Sequence, residues 1–167
     1  RTPRGEPLAE TATSLSWQHL RTVGHAGYKL AAREGMALAA TLAGMSFSNC
    51  GVALVHALEY PLGGTLHCSH GAGNGLLLPY VMRYDVPPLL GVDVGEMDEG
   101  DAAEAAISAV EQLRRDIGIP ERISDIGGRE EQLPMFAKKS FAIKRLMMLN
   151  PRPPTEADLL AILRDAL

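Results

Sequence analysis

The sequence contains few aromatic residues, few cysteines and no excess of basic charge. Aromatic residues make up 5% of its 167 residues, so a folded core must be mainly aliphatic. The two cysteines, Cys50 and Cys68, form neither a CxxC pair nor a disulfide framework, which favours a reducing compartment. The net charge is -4, and this argues against nucleic-acid binding, because phosphate contacts need clustered Lys and Arg.

Long apolar runs and a targeting segment are also missing. No run reaches the roughly 18 residues that can span a membrane, and residues 1–20 lack the pattern of a signal peptide. These features predict a cytoplasmic protein that binds neither membranes nor nucleic acids. The chain begins at Arg1, without an initiator methionine, and we interpret it as a fragment, a processed piece or one domain of a longer protein.

Helical patterning covers most of the chain. Hydrophobic residues make up 46% and charged residues 22%, proportions that are typical of a folded globule. No segment alternates with a period of two, so we predict one all-α domain over residues 1–167, a helical bundle of antiparallel pairs. The predicted helices cover residues 7–23, 29–46, a stretch that ends at PLGG, about 70–84 with a kink at Pro79, about 101–117, the segment REEQLPMFAKKS and a last helix from Thr155.

Local signals mark several helix ends. Asp101 with Glu104, and Thr155 with Asp158, resemble capping boxes that open helices. Gly118 suits the position just after a helix end. An irregular connector is predicted over residues 86–100. The apolar side chains of the last helix recur with helical spacing, at Leu159, Ile162, Leu163 and Ala166.

The polar chemistry is concentrated in residues 54–75, LVHALEYPLGGTLHCSHGAGNG, which include three of the five histidines. The glycines of PLGG predict that a helix ends there and the chain reverses, which can bring His56 and His70 to one point. Imidazole is a common ligand of borderline metals. Tyr60 lies four residues after His56 and therefore shares its helix face.

The spacing by itself leaves the nature of this segment open. Two histidines fourteen residues apart are usually not a metal site. His67 and Cys68 are expected to lie on an exposed loop. The GAGNG sequence at 71–75 is a weak dinucleotide signature, because no strand precedes it and the third glycine of GxGxxG is absent.

A longer stretch carries a family resemblance. Residues 44–85, GMSFSNCGVALVHALEYPLGGTLHCSHGAGNGLLLPYVMRYD, resemble the signature of the iron-containing (group III) alcohol dehydrogenases. His56 matches the first ligand histidine of that signature, PLGG matches its turn, and His70-Gly71 with Asn74 and LLLPYV match its remaining positions. RDIGIP and NPRPPTEADLLAIL resemble later segments of the family, so the similarity covers nearly the whole chain.

The resemblance implies a C-terminal helical domain of the dehydroquinate synthase-like type, paired with an N-terminal α/β domain that binds NAD or NADP. His56 and His70 then map onto two ligands of Fe²⁺ or Zn²⁺, and Phe47 maps near the nicotinamide. The metal would stabilise the oxygen of a small alcohol or aldehyde during hydride transfer. The family's other ligands, an Asp and a His four residues apart, do not precede residue 56. This chain alone is therefore expected to be inactive and to hold metal weakly.

Tyr60 departs from the family pattern, which usually has a proton-relay histidine at this position. A phenol keeps its proton at neutral pH, so it can donate a hydrogen bond but is a poor proton shuttle. A tyrosine here also looks like the hydroxyacid–oxoacid transhydrogenase branch, or it simply packs in the cleft. Three hypotheses are therefore open: half of an alcohol dehydrogenase, a transhydrogenase-like enzyme, or a non-catalytic helical interaction module. A homodimer is expected, because the face that would meet the missing domain is exposed.

Overall fold

A computed structural model describes residues 5–89 and 99–167 of the chain. The regular structure in these two ranges is entirely helical, which confirms the all-α fold. None of their helices taken singly is long and apolar enough to cross a membrane. The helices are α1 (Gly5–His25), α2 (Leu30–Cys50), α3 (Leu54–Leu66), α4 (His70–Leu89), α5 (Glu99–Asp116), α6 (Leu133–Phe141), α7 (Lys144–Leu149) and α8 (Glu156–Asp165), with short 3₁₀ turns at Ser124–Ile126 and Glu130–Gln132.

The chain divides into two compact units, Arg1–Val52 and Ala53–Leu167. In the first unit α1 packs against α2, and the hydroxyl of Ser46 donates a hydrogen bond of 2.9 Å to the carbonyl of Gly5. This bond joins the end of α2 to the start of α1, so the two helices run antiparallel. The assignment of the whole chain to one domain stays a prediction.

The second unit is built around α3 and α4. α3 packs against α4, α6 and α7, while α4 also contacts α5 and α8. Large aliphatic side chains and one phenylalanine fill the space between these helices. The largest fully buried side chains of this unit include Leu54, Leu58, Leu62, Leu76, Leu77, Ile107, Ile123, Leu133, Phe136, Leu159 and Leu163.

The predicted end of the third helix at PLGG is wrong. α3 continues through Pro61 to Leu66. A proline removes one helical N–H bond and crowds the carbonyl four residues earlier. The side chains of Leu58 and Leu62 have no exposed surface, so the burial of one apolar face stabilises the helix against this cost. The chain reverses instead at His67, whose φ of 55° and ψ of 32° lie in the left-handed region.

α4 and α5 are both longer than the sequence indicates. α4 passes the predicted end near Tyr84, and Pro79 lies within it as a fully buried side chain. The kink at Pro79 stays a prediction. α5 begins at Glu99, so the predicted start with Asp101 as its cap is wrong. The connector predicted over residues 86–100 is helical at both of its ends, and residues 90–98 lie outside the described ranges.

The predicted end of α5 at Gly118 is confirmed. Gly118 has a φ of 74°, and its N–H donates to the carbonyl of Arg115 at 3.1 Å. The N–H of Ile119 donates to the carbonyl of Arg114 at 3.0 Å. These two bonds form a Schellman motif, which satisfies carbonyls that a helix end otherwise leaves without partners.

The capping box that opens α8 is also confirmed. The N–H of Asp158 donates to the hydroxyl of Thr155 at 3.2 Å, and the N–H of Thr155 donates to the Asp158 carboxylate at 2.8 Å. The helix then buries the apolar face that its spacing predicts, namely Leu159, Ile162, Leu163 and Ala166.

Candidate metal centre

Three ring side chains meet where α3 and α4 adjoin. His56 and Tyr60 lie one turn apart on α3, with ring centroids separated by 6.4 Å. His70 opens α4, and its ring centroid lies 5.3 Å from that of His56 and 5.9 Å from that of Tyr60. The rings of Tyr60 and His70 are nearly parallel, at 16°. The two predicted metal ligands and the predicted catalytic tyrosine therefore share one site, while their roles stay predictions.

The short turn between α3 and α4 sets this arrangement. His67 is exposed, as expected of a loop residue, and its left-handed backbone turns the chain back toward α3. Cys68 differs from the expectation, because it is half-buried. Its burial, and next the negative charge of Glu59, raise the pKa of the Cys68 thiol. The turn thus places His70 beside the first two turns of α3, where His56 and Tyr60 lie.

Glu59, which no sequence pattern singled out, makes the closest contact with His70. Its Oε2 lies 2.5 Å from Nδ1 of His70. The Glu59 side chain is 4% exposed and that of His70 is 56% exposed. A signal for Glu59 was present in the sequence, since it is the one acidic residue of α3 and lies three residues after His56. Residues at that spacing share a helix face.

Asn74 lies one turn after His70 on α4. Its amide nitrogen donates to the carbonyl of His70 at 2.9 Å and lies 3.3 Å and 3.2 Å from the two ring nitrogens. Its Oδ1 is buried and has no hydrogen-bond partner among the described residues. The side chain therefore covers the His70 ring, and its oxygen is an acceptor that no described residue pairs.

The donor set fits part of a metal site. Nδ1 of His56 is buried without a partner in the described part of the chain. Burial lowers the pKa of His56, and nearby His70 lowers it further, while Glu59 opposes the shift. Neutral imidazole is the form that binds metals. Within residues 5–89 and 99–167, no cluster of three His, Cys, Asp or Glu side chains could hold a metal ion. A metal bound by His56 and His70 would therefore need further ligands.

Phe47, the residue predicted to lie near the nicotinamide, belongs to the other unit. It lies on α2, close to the end of that helix, and its side chain is 53% exposed. Its place beside a cofactor stays a prediction.

The chain matches a known family along nearly its whole length. The family model described as "Fe-containing alcohol dehydrogenase family, C-terminal" matches residues 2–167. The chain is 37% identical over 174 aligned positions to 1,3-propanediol dehydrogenase of Klebsiella pneumoniae, an alignment that covers 98% of this chain and 45% of that protein. It is 39% identical over 145 positions to lactaldehyde reductase of Escherichia coli K12, covering 81% of this chain and 38% of that protein.

Solved structures show the same fold. A crystal structure of 1,3-propanediol oxidoreductase superposes with a TM-score of 0.92 at 36% identity, covering 99% of this chain and 46% of that one. An alcohol dehydrogenase from Oenococcus oeni superposes with a TM-score of 0.91 at 32% identity, with the same coverage. The fold is thus that of the helical C-terminal region of such dehydrogenases. The chain belongs to the iron-containing alcohol dehydrogenase family, and it spans a little under half the length of the curated relatives it matches.

Proposed function

We propose that this chain is the metal-ligand half of an NAD(P)-dependent iron-type alcohol dehydrogenase. The observation that carries the proposal is the pairing of His56 with His70, whose ring centroids lie 5.3 Å apart where α3 and α4 adjoin. Family membership over residues 2–167 supports it. A helical module without catalytic function would have no physical need for two imidazoles at this point, one of them with a buried nitrogen that no described residue pairs.

In the proposed site His56 and His70 hold Fe²⁺ or Zn²⁺, with further ligands from the rest of the whole protein. When bound, the metal supplies Lewis acidity that stabilises negative charge on the substrate oxygen. Tyr60 is 47% exposed beside His70, so its hydroxyl can reach a substrate and donate a hydrogen bond to that oxygen. Phe47 is proposed to line the nicotinamide side of the cleft.

The rest of the proposal concerns the whole protein. We propose that NAD or NADP binds mainly to a separate nucleotide-binding domain, and that the enzyme is a cytoplasmic homodimer. The substrate is proposed to be a small alcohol or aldehyde. Two relatives are named for 1,3-propanediol and lactaldehyde, and these names support a substrate of that size.

Replacement of His56 in the full-length protein tests the proposal. His56→Ala should lose the bound metal, about one ion per chain in the parent enzyme, together with NAD(P)-dependent alcohol oxidation, because an imidazole is removed from the metal site. Metal analysis and the absorbance of reduced cofactor measure both. His67→Asn is the matched control, because His67 is exposed and asparagine also tolerates the left-handed backbone. Unchanged metal content and turnover in His56→Ala would contradict the assignment.

Tyr60 favours a second candidate reaction, hydride exchange between a hydroxyacid and an oxoacid. Its ring stacks on that of His70, so a phenol, and not the imidazole usual in the family, lies beside the proposed metal ligand. Turnover that requires both acids, with NAD(H) that stays bound, would support this candidate, and Tyr60→His would then harm activity. Turnover with an alcohol and added NAD(P) supports the dehydrogenase. Absence of metal and of both activities would favour the non-catalytic module.

A further inference from the structure

Glu59 is a buried carboxylate to which the proposed function assigns no role. Its side chain is 4% exposed, and a buried carboxylate is costly unless it is paired. The contact that compensates it is Nδ1 of His70 at 2.5 Å. Since the His70 side chain is 56% exposed, the pair links a carboxylate inside the helix packing to an imidazole that a ligand can reach.

The helices leave a space for this carboxylate by means of two glycines. A Cβ on Gly63 would overlap with Oε1 of Glu59, and a Cβ on Gly73 would lie 2.8 Å from its Cγ. Gly64 and Gly71 behave differently, because a Cβ on either would meet nothing within 4 Å. Of these four glycines, only the two that face Glu59 leave no room for a side chain.

The chemistry of the pair selects one form of the His70 ring. An ionised carboxylate only accepts hydrogen bonds, so Nδ1 of His70 must carry the proton that it shares with Glu59. In the neutral ring Nε2 is then the unprotonated nitrogen. Asn74 makes no such selection, because its amide nitrogen lies almost equally far from both ring nitrogens, at 3.3 Å and 3.2 Å.

The geometry points to Glu59 as a positioning residue that holds His70 in the Nδ1-protonated tautomer and thereby presents Nε2 to a metal. Carboxylates bonded to ligand histidines orient the ring and raise its basicity, and their loss typically lowers metal affinity about 10- to 100-fold. The metal part of this inference rests on the proposed function. The tautomer part depends only on the contact between Glu59 and His70.

The test compares Glu59→Ala and Glu59→Gln with the parent in the full-length protein. In metal-free protein with ¹⁵N-labelled histidine, the parent should show His70 protonated at Nδ1. Glu59→Gln should show a weaker preference, because a glutamine amide can donate as well as accept. Glu59→Ala should show a mixture of tautomers. Competition with a Zn²⁺ chelator should show weaker binding in Glu59→Ala, by about 10- to 100-fold, with a smaller loss in Glu59→Gln.

A second pair of variants leaves Glu59 in place. Gly63→Ala should displace the carboxylate and reproduce the tautomer mixture, whereas Gly64→Ala, the next residue on the same helix, should behave as the parent. This pair keeps the inference testable even where removal of Glu59 unfolds the protein.

Several outcomes would overturn the inference. An unchanged tautomer in Glu59→Ala or in Gly63→Ala contradicts the positioning role. Loss of metal from Glu59→Gln as complete as that from His70→Ala would make Glu59 itself a ligand, which also overturns it. If the parent protein binds no metal but the tautomer of His70 still changes in Glu59→Ala, the role of Glu59 in orienting His70 is supported. In that case it is the proposed function that fails.

Discussion

The two compact units bury side chains of very different size. In the first unit the buried residues of α1 and α2 are all small, namely Gly5, Ala12, Ala32, Ala39 and Ser46. In the second unit the buried side chains are mainly leucine and isoleucine. Small side chains let two helix backbones approach closely, whereas large ones contribute more apolar area per residue. The difference indicates that the second unit contributes most of the hydrophobic stabilisation, and it is the unit that holds His56 and His70.

The largest effect should come from a cavity in the second unit. Leu62 has no exposed surface, so Leu62→Ala should lower the free energy of unfolding by about 2–5 kcal/mol. The matched variant in the first unit is Leu38→Ala, where the side chain is 51% exposed and the loss should stay within about 0.5 kcal/mol. Urea unfolding of the full-length protein, followed by circular dichroism, measures both. Equal losses would contradict the contrast between the units.

Removal of Asn150 should be the next most damaging change. Its side chain accepts from the N–H of Leu54 at 3.3 Å and donates to the carboxylate of Asp85 at 2.6 Å. Asn150→Ala leaves buried polar groups unpaired, which should cost about 1–3 kcal/mol of unfolding free energy. Asn49→Ala is the control, because Asn49 is exposed and its side chain donates to the carbonyl of Met45 in its own helix. Similar unfolding midpoints in the two variants would show that this network adds little.

An added side chain should reveal the close packing of the first unit. Ala39 is 1% exposed, so Ala39→Leu should force α1 and α2 apart and cost about 1–3 kcal/mol. Ala40, the next residue, is exposed, and Ala40→Leu should change stability little. Thermal unfolding compares the two variants. If Ala39→Leu is tolerated as well as Ala40→Leu, the approach of the two helices does not depend on small residues.

The smallest effect is expected at the capping box of α8, where local bonds act without a large buried area. Thr155→Ala should cost about 1 kcal/mol, and Thr155→Ser should retain most of that energy.

The bonds from the backbone N–H and hydroxyl of Thr155 lower the pKa of Asp158 below its usual 3.8. Because the carboxylate is stabilised in the folded state, the contribution is present above pH 3.8 and is lost as the pH falls through the lower, folded-state pKa. Urea unfolding of the three proteins at a series of pH values measures this, and a difference between parent and Thr155→Ala that grows in acid would contradict it.

Two helix ends that depend on neighbouring residues were predictable from the sequence, although the capping box predicted at Asp101 was wrong. The capping box at Thr155 and the Schellman motif at Gly118 are formed by residues within a few positions of each other. Their geometry follows from local dihedral preferences and hydrogen bonds, so the sequence is sufficient to predict them.

The end of α3 was not predictable in the same way. Local propensity predicts that Pro61, Gly63 and Gly64 should end a helix. The helix continues because Leu58 and Leu62 are buried against neighbouring helices, and no local pattern reports how much area those contacts bury. Tertiary packing here overrides the local preference of these three residues.

The burial of charged side chains was likewise not predictable from local sequence patterns. Arg114 would be expected on the surface of α5, yet its side chain is 4% exposed, donates to the carbonyl of Leu76 at 2.9 Å and lies over the ring of Tyr80. Glu59 is the corresponding case on α3. Whether a charged side chain is buried depends on the partners that other parts of the chain supply, and the partners of Arg114 are 7 to 38 residues away from it in the sequence.

The sequence by itself determined the family and the helical character of the chain, and it predicted His56, Tyr60 and His70 as site residues. These follow from residue identity and short-range spacing. Only the tertiary structure decided that their rings lie within 6.4 Å of one another and that Glu59 turns inward to bond with His70. The physical reason is that both depend on the packing of α3 against α4, whose contacts join residues that the chain's local preferences do not connect.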